Sequence, residues 1–247
     1  MLIAASSRCF SDLSFYEACQ QLTDLGFDSI ELWLSEETPH LRPSHVAEDP
    51  DRFVRRFNEN SRLTPLAVHL NEDPGETTFQ RICHLCNLLQ VAQVTIPSAE
   101  VGTPFNEEID RLRQRLDTAT GHGLRLSMKI QQGRLTEDPQ TAAELCQSVA
   151  GLGLTLDLSP YLCGKYAHIS HECVYPYVYH VHLRDASPQA FQVPMGLGEV
   201  DCGRLISQLR RRNYNRVLSV EIYPELLGGA DRGLELRKTR MLLESLL

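Results

Sequence analysis

The chain has 247 residues, 42% of them hydrophobic, and a formal net charge of −8. That composition supports a sizeable core and excludes intrinsic disorder, while the length is that of a single (βα)8 barrel, about 250 residues, without insertions. The acidic balance argues against a broad nucleic-acid footprint, and Arg210-Arg211-Arg212 reads as a solvated helix end before Asn213.

The eight cysteines lie mostly singly within apolar patterns, where the thiol behaves as a small buried hydrophobe rather than as part of a disulfide framework. Cys83-His84-Leu85-Cys86 sits inside a helical run and has no second cysteine pair to complete a zinc site, so it is assigned to the core. The first residues, MLIAASSRCF, have too short an apolar run for a signal peptide, and no segment approaches a membrane span. A cytoplasmic location is expected.

In chain order, Leu2 to Ala5 is a first strand stopped by Ser6-Ser7. Ser14 to Leu25 has helical spacing, with a capping box at Ser14 and Glu17 and Gly26 at its end. Ser29 to Trp33 is a second strand, and the Glu-, Pro- and His-rich stretch behind it reads as loop. A helix over Asp51–Ser61, a strand over Pro65–Leu70, a helix over Thr77–Leu89 and a strand over Gln93–Ile96 follow.

Asn106 to Thr120 is a long amphipathic helix, and Leu124 to Ile130 is the fifth strand. Asp138-Pro139 opens the next helix, which runs to Ala150, and Leu154 to Leu158 is the sixth strand. Tyr161 to Pro176 is irregular, with one short helix. A strand over Tyr179–Leu183, a helix over Asp201–Arg212, a strand over Val217–Glu221 and a helix over Asp231–Leu247 complete the chain. Eight strands alternating with helices predict one parallel (βα)8 barrel over residues 1–247, with no linker to mark a second domain.

In such a barrel the catalytic groups stand at the C-terminal ends of strands. Those ends carry Glu31, His69, Lys129, Asp157, then His182 with Arg184 and Asp185, and finally Glu221. Asp157, His182 and Glu221 are hard oxygen and imidazole donors that suit a divalent cation. Taken singly, an Asp at a strand end can cap the next helix and an inward His can be a bonded core residue. Their shared position on strands six, seven and eight points to a joint role. The loop Gly196-Leu197-Gly198-Glu199-Val200-Asp201 lacks the third glycine of a nucleotide fingerprint; its glycines serve either a substrate approach or a turn, and Asp201 caps the helix that follows.

The segments HVHLRDA and GLGEVDCGRLISQLRRRNYNRVLSVE resemble the closing part of the xylose isomerase-like TIM barrels, the superfamily of sugar phosphate isomerases, epimerases and AP endonucleases. Gly26-Phe27-Asp28-Ser29-Ile30-Glu31 resembles the start of the family's second strand, and the resemblance runs over essentially the whole chain. It implies a sugar or polyol isomerase or epimerase that moves a proton next to a carbonyl, with a carbohydrate as its small-molecule partner. Glu31, His69 and Arg184 are then substrate contacts. Members often form dimers or tetramers, so a homo-oligomer is compatible with the resemblance.

In family members a divalent ion (Mn, Mg, Co or Zn) is held by a Glu ending strand five, an Asp ending strand six, a His on strand seven and a Glu ending strand eight. Carried over, these positions are Lys129, Asp157, His182 and Glu221, and the His three residues after the strand-six Asp falls on Pro160. An ammonium does not ligate, so Lys129 counts against the metal. Two outcomes follow: a metal-free enzyme using Glu221 and Lys129, or a sugar-binding barrel without turnover.

Overall fold

The computed structural model describes residues Met1–Leu247. Eight parallel strands close into a barrel: β1 (Leu2–Ser6), β2 (Ser29–Leu34), β3 (Thr64–Leu70), β4 (Gln93–Pro97), β5 (Arg125–Lys129), β6 (Gly153–Leu156), β7 (Val178–Leu183) and β10 (Val217–Val220). Two further short strands, β8 (Asp185–Ser187) and β9 (Ala190–Val193), form an antiparallel hairpin directly after β7. The helices are α1 (Phe15–Asp24), α2 (Pro43–Glu48), α3 (Pro50–Asn60), α4 (Glu76–Leu88), α5 (Phe105–Gly121), α6 (Pro139–Ser148), α7 (Ser159–Leu162), α8 (Cys202–Arg211) and α9 (Arg232–Leu246). The fold is the predicted (βα)8 barrel.

Local chemistry sets the helix starts. Ser14 and Glu17 form the reciprocal capping box of α1, while Asp138 and Asp201 accept backbone N–H groups at the starts of α6 and α8. Cys83 and Cys86 are buried on α4 within the apolar cluster. The Glu-, Pro- and His-rich stretch after β2 is a correction: Pro43 at the first turn starts α2 there. The hairpin β8–β9 is the other addition, because a strand of three residues leaves no periodic signal.

The barrel strands have two unlike faces. Parallel register places Ala4 beside Ser219, Thr95 beside Ser127, Lys129 beside Thr155 and His182 beside Ser219. These residues line the lumen, where Thr95, Ser127 and Thr155 join by hydroxyl hydrogen bonds of 2.6–3.3 Å. The alternate positions, among them Val94, Ile96, Leu126, Met128, Leu154, Leu156, Val181, Leu183, Leu218 and Val220, are all buried. They pack outward against the helices in one apolar cluster. Period-two alternation therefore separates a polar lumen from an apolar shell.

Candidate active site

The strand ends bring Lys129, Asp157, Arg184 and Glu221 together at the C-terminal mouth, all removed from solvent. The Lys129 Nζ lies 2.6 Å from Glu221 Oε2 and 3.2 Å from the Tyr223 hydroxyl. Arg184 Nη2 donates to Asp157 Oδ2, lies 3.4 Å from Glu221 Oε2 and donates to the Tyr223 hydroxyl at 3.1 Å. Its Nε donates to Ser159 Oγ at 3.1 Å. The other oxygen of Asp157 accepts the Ser159 N–H at 2.9 Å, so one carboxylate both starts α7 and holds Arg184. Two cations and two carboxylates thus interlock, as buried charges require.

Beneath this quartet lies a layer of imidazoles. His182 Nδ1 is 3.2 Å from Glu221 Oε2, and its Nε2 is 2.9 Å from Glu31 Oε1. His180 Nε2 faces the same Glu31 oxygen at 3.1 Å. His69 Nδ1 stands 3.5 Å from Glu221 Oε1. Burial opposes the charged form of every one of these groups, and the neighbours decide the net result. For Glu31 and Glu221 burial raises the pKa, but the imidazole of His182 and, respectively, that of His180 and the Lys129 ammonium outweigh it; both carboxyls are held well below the ordinary carboxylate range. Burial lowers His182 too, yet Glu221 and Glu31 on its two sides raise it above the ordinary imidazole value. His69 goes the other way: burial and the Lys129 charge push it down to about 3.

The mouth is roofed by Tyr223. Its ring lies between two guanidinium groups, Arg8 at 3.5 Å and Arg184 at 3.8 Å from the ring centroid. Gln192 of the hairpin clamps the Tyr223 backbone, accepting its N–H at 2.7 Å and donating to its carbonyl at 3.0 Å. Asp185 stabilises the glycine loop instead of reaching the mouth. Its carboxylate accepts the N–H groups of Gly196, Gly198 and Val200 at 2.8–3.2 Å. Any side chain at position 198 would collide with that carboxylate and with the Ala186 carbonyl, and Gly196 has φ +91°. Of the two readings of this loop, the geometry is that of a turn wrapped on Asp185.

Among the expected substrate contacts, Arg184 is at the mouth with its charge already paired, while Glu31 lies below the mouth bonded to His180 and His182. His69 stands beside Glu221 and His182, with ring centroids 5.0 Å apart. Tyr223, Ser159 and Arg8 belong to the site without having been singled out from sequence. Tyr223 had a usable signal, since it follows Glu221 by two residues and the alternation carries it to the same face. Arg8 had none, because it lies in an irregular turn after β1.

The four positions that hold a divalent ion in family members do not fit one here. Lys129 offers an ammonium, its charge sits on Glu221, and the remaining carboxylate, Asp157, is bonded to Arg184. An ion among these groups would meet two cations at hydrogen-bond range.

Searches for relatives agree with the architecture. The chain matches solved structures end to end at low identity. One is a xylose isomerase-like TIM barrel protein from Mycobacterium smegmatis in complex with magnesium, with TM-score 0.77, 18% identity and 99% and 96% of the two chains covered. A probable 3-DHS dehydratase from Bacillus anthracis gives TM-score 0.74, 16% identity and 99% of each chain. The 3-keto-D-glucoside 4-epimerase from E. coli gives TM-score 0.74, 14% identity and 99% of each chain. No curated protein matches by sequence. At these identities the likeness is one of fold. The family model of the xylose isomerase-like TIM barrel matches residues 19–244, nearly the whole chain, and the protein belongs to that family.

Proposed function

We propose that the protein is a sugar or polyol isomerase or epimerase, acting on phosphorylated or unphosphorylated substrates, with Lys129 in the place of the family's divalent ion. The observation that carries this reading is the Lys129–Glu221 pair, 2.6 Å apart at the barrel mouth. Exchanging a carboxylate for an ammonium at the strand-five position adds two units of positive charge. A divalent ion brings the same charge, so the chain keeps the electrostatics of the site while losing the ion.

The chemistry follows from these groups. A carbonyl compound displaces the Tyr223 ring and lies against Lys129 and Glu221. Glu221 Oε1, which has no hydrogen-bond partner, takes the proton from the carbon beside the carbonyl. The electron pair of that C–H bond moves to the carbonyl oxygen, and the Lys129 ammonium stabilises the resulting enediolate. Return of the proton from Glu221 to the neighbouring carbon gives the isomer; delivery of a proton from the Lys129 ammonium to the opposite face gives the epimer, and the proton held by Glu221 then passes to Lys129. Sugar epimerases among the structural neighbours support this reaction class. No helix is long and apolar enough to cross a membrane, and the eight free thiols suit the reducing cytoplasm where we place the protein.

A second reading, sugar binding without turnover, is favoured by one observation. Glu221 is held well below the carboxylate range by His182 and Lys129 despite its burial, and so weakly basic a group is a poor proton acceptor. Incubation with ketohexoses and 3-keto-glucosides in deuterated water separates the two. Deuterium entering the carbon beside the carbonyl, and lost in Glu221→Gln, is the result expected of the enzyme. Saturation-transfer signals from bound sugar without any exchange would establish the binder.

A further inference from the structure

Glu31 and His180 take no part in the reaction proposed above, although both are buried in the lumen and both leave polar atoms unpartnered. His180 Nε2 and His182 Nε2 lie 3.1 and 2.9 Å from one oxygen, Glu31 Oε1, and the two rings stand at 88° to each other. The second carboxylate oxygen, Glu31 Oε2, is buried with no hydrogen-bond partner, and so is His180 Nδ1. The two imidazole nitrogens and Glu31 Oε1 thus lie within 4.8 Å of one another, close enough to serve as donors to one cation, with the second carboxylate oxygen still free.

We propose that Glu31, His180 and His182 form a second cation site, one layer below Lys129, that takes a borderline divalent ion of the zinc or cobalt type. Four observations support the assignment. First, the spacing fits: bonds of about 2.0–2.2 Å at the tetrahedral angle separate ligand atoms by about 3.3–3.6 Å, a few tenths more than the two nitrogen–oxygen distances found here. Second, the donor set is right, because two imidazoles and a carboxylate favour zinc or cobalt over magnesium or calcium. Third, Glu31 bonds to no lysine or arginine, whereas Glu221 is bound by Lys129; this selects the Glu31 cluster over the alternative of His69, His182 and Glu221. Fourth, His182 presents its other nitrogen to Glu221 Oε2 at 3.2 Å, the carboxylate–histidine–metal arrangement that orients a ligating ring. Ser219 Oγ, 3.0 Å from His180 Nε2, is a further oxygen beside the cluster.

Only His182 is common to this site and the family's metal positions. The ligands come from β2 and β7, which are separated around the barrel by β1 and β10. A bound ion would join the two strands across the lumen, and its place below the mouth gives it a structural role independent of the proposed reaction.

The test uses the full chain produced in cobalt- or zinc-supplemented medium. One ion per chain and the visible absorption bands of tetrahedral cobalt are expected. Both are lost in His180→Gln and Glu31→Gln and kept in Asp157→Asn and His69→Gln. Because a lumen variant can fail to fold, X-ray absorption of the zinc-loaded unaltered chain gives an independent reading, with two imidazoles per zinc expected. Failure of the unaltered chain to take up either ion, uptake that survives His180→Gln, or a zinc spectrum with fewer than two imidazoles would overturn the proposal.

Discussion

Lys129 and Glu221 face each other across the barrel mouth, nitrogen to oxygen 2.6 Å, and both side chains are removed from solvent. Neither charge has water to fall back on, so the stability of each depends on the other.

Removing one partner should therefore cost far more than removing both. Lys129→Met strands the Glu221 carboxylate and is expected to destabilise by roughly 3–5 kcal/mol. Glu221→Gln strands the ammonium with a similar effect. The double variant should recover a large part of the loss, giving a coupling of about 1–3 kcal/mol in urea melts. Additive losses would mean that the pair contributes no mutual stabilisation.

Lys129→Glu tests the charge exchange directly. It restores the family's donor set of two Glu, one Asp and one His, but places three carboxylates around one point. Without a divalent ion the variant should melt below the unaltered chain; added Mn²⁺ should restore the melting temperature and bind at the mouth by calorimetry. Absence of Mn²⁺ rescue would show that Arg184, bonded to Asp157, keeps the site closed to metal by itself.

Stability should fall on the acid side in two overlapping stages. His69 is pushed down to about 3 in the fold from an ordinary 6.5, so the unfolded chain binds the extra proton first and stability drops as the pH falls from 6.5 towards 3. Glu31 and Glu221, depressed below 4.5, add stability that is full above that value and is lost as the pH falls through their lower folded values. His182 works in the opposite direction, because its raised value adds stability below 6.5 that disappears as the pH rises through the folded pKa. Urea midpoints measured from pH 3 to 8 should show a shallower slope between 6.5 and 4.5 for His69→Gln. An unchanged slope would assign the acid loss elsewhere.

Asp185 is predicted to matter for folding rather than for chemistry. Asp185→Ala orphans the N–H groups of Gly196, Gly198 and Val200, and at about 1 kcal/mol per lost hydrogen bond the expected cost is about 2–4 kcal/mol. Sugar binding or turnover should persist in whatever fraction remains folded. A loss of activity with no change in melting temperature would instead put the loop in the site.

The barrel was legible in the sequence because its signals are local and repeated. Capping residues at Ser14, Asp138 and Asp201 and short alternating strands such as LRLSMKI set the elements within a few residues of their observed ends. The mouth was legible only as a set of strand-end residues. Alternation carries Lys129, His182 and Glu221 inward, but it does not reveal which cation meets which carboxylate. That Arg184 spends its charge on Asp157, that Glu31 sits below the rim, and that Tyr223 covers the site all depend on side-chain reach across non-neighbouring strands. Arg8 enters the site from an irregular turn, where no periodicity exists to be read.

The division of every strand into a polar inner edge and an apolar outer edge has a further consequence. Cohesion of the molecule resides in the annulus between strands and helices, and reactivity resides in the bore. The two can change independently: residues lining the bore can be exchanged, carboxylate for ammonium, without disturbing the contacts that close the cylinder. A chain built this way can change the chemistry of its bore while its backbone and its outer packing stay the same.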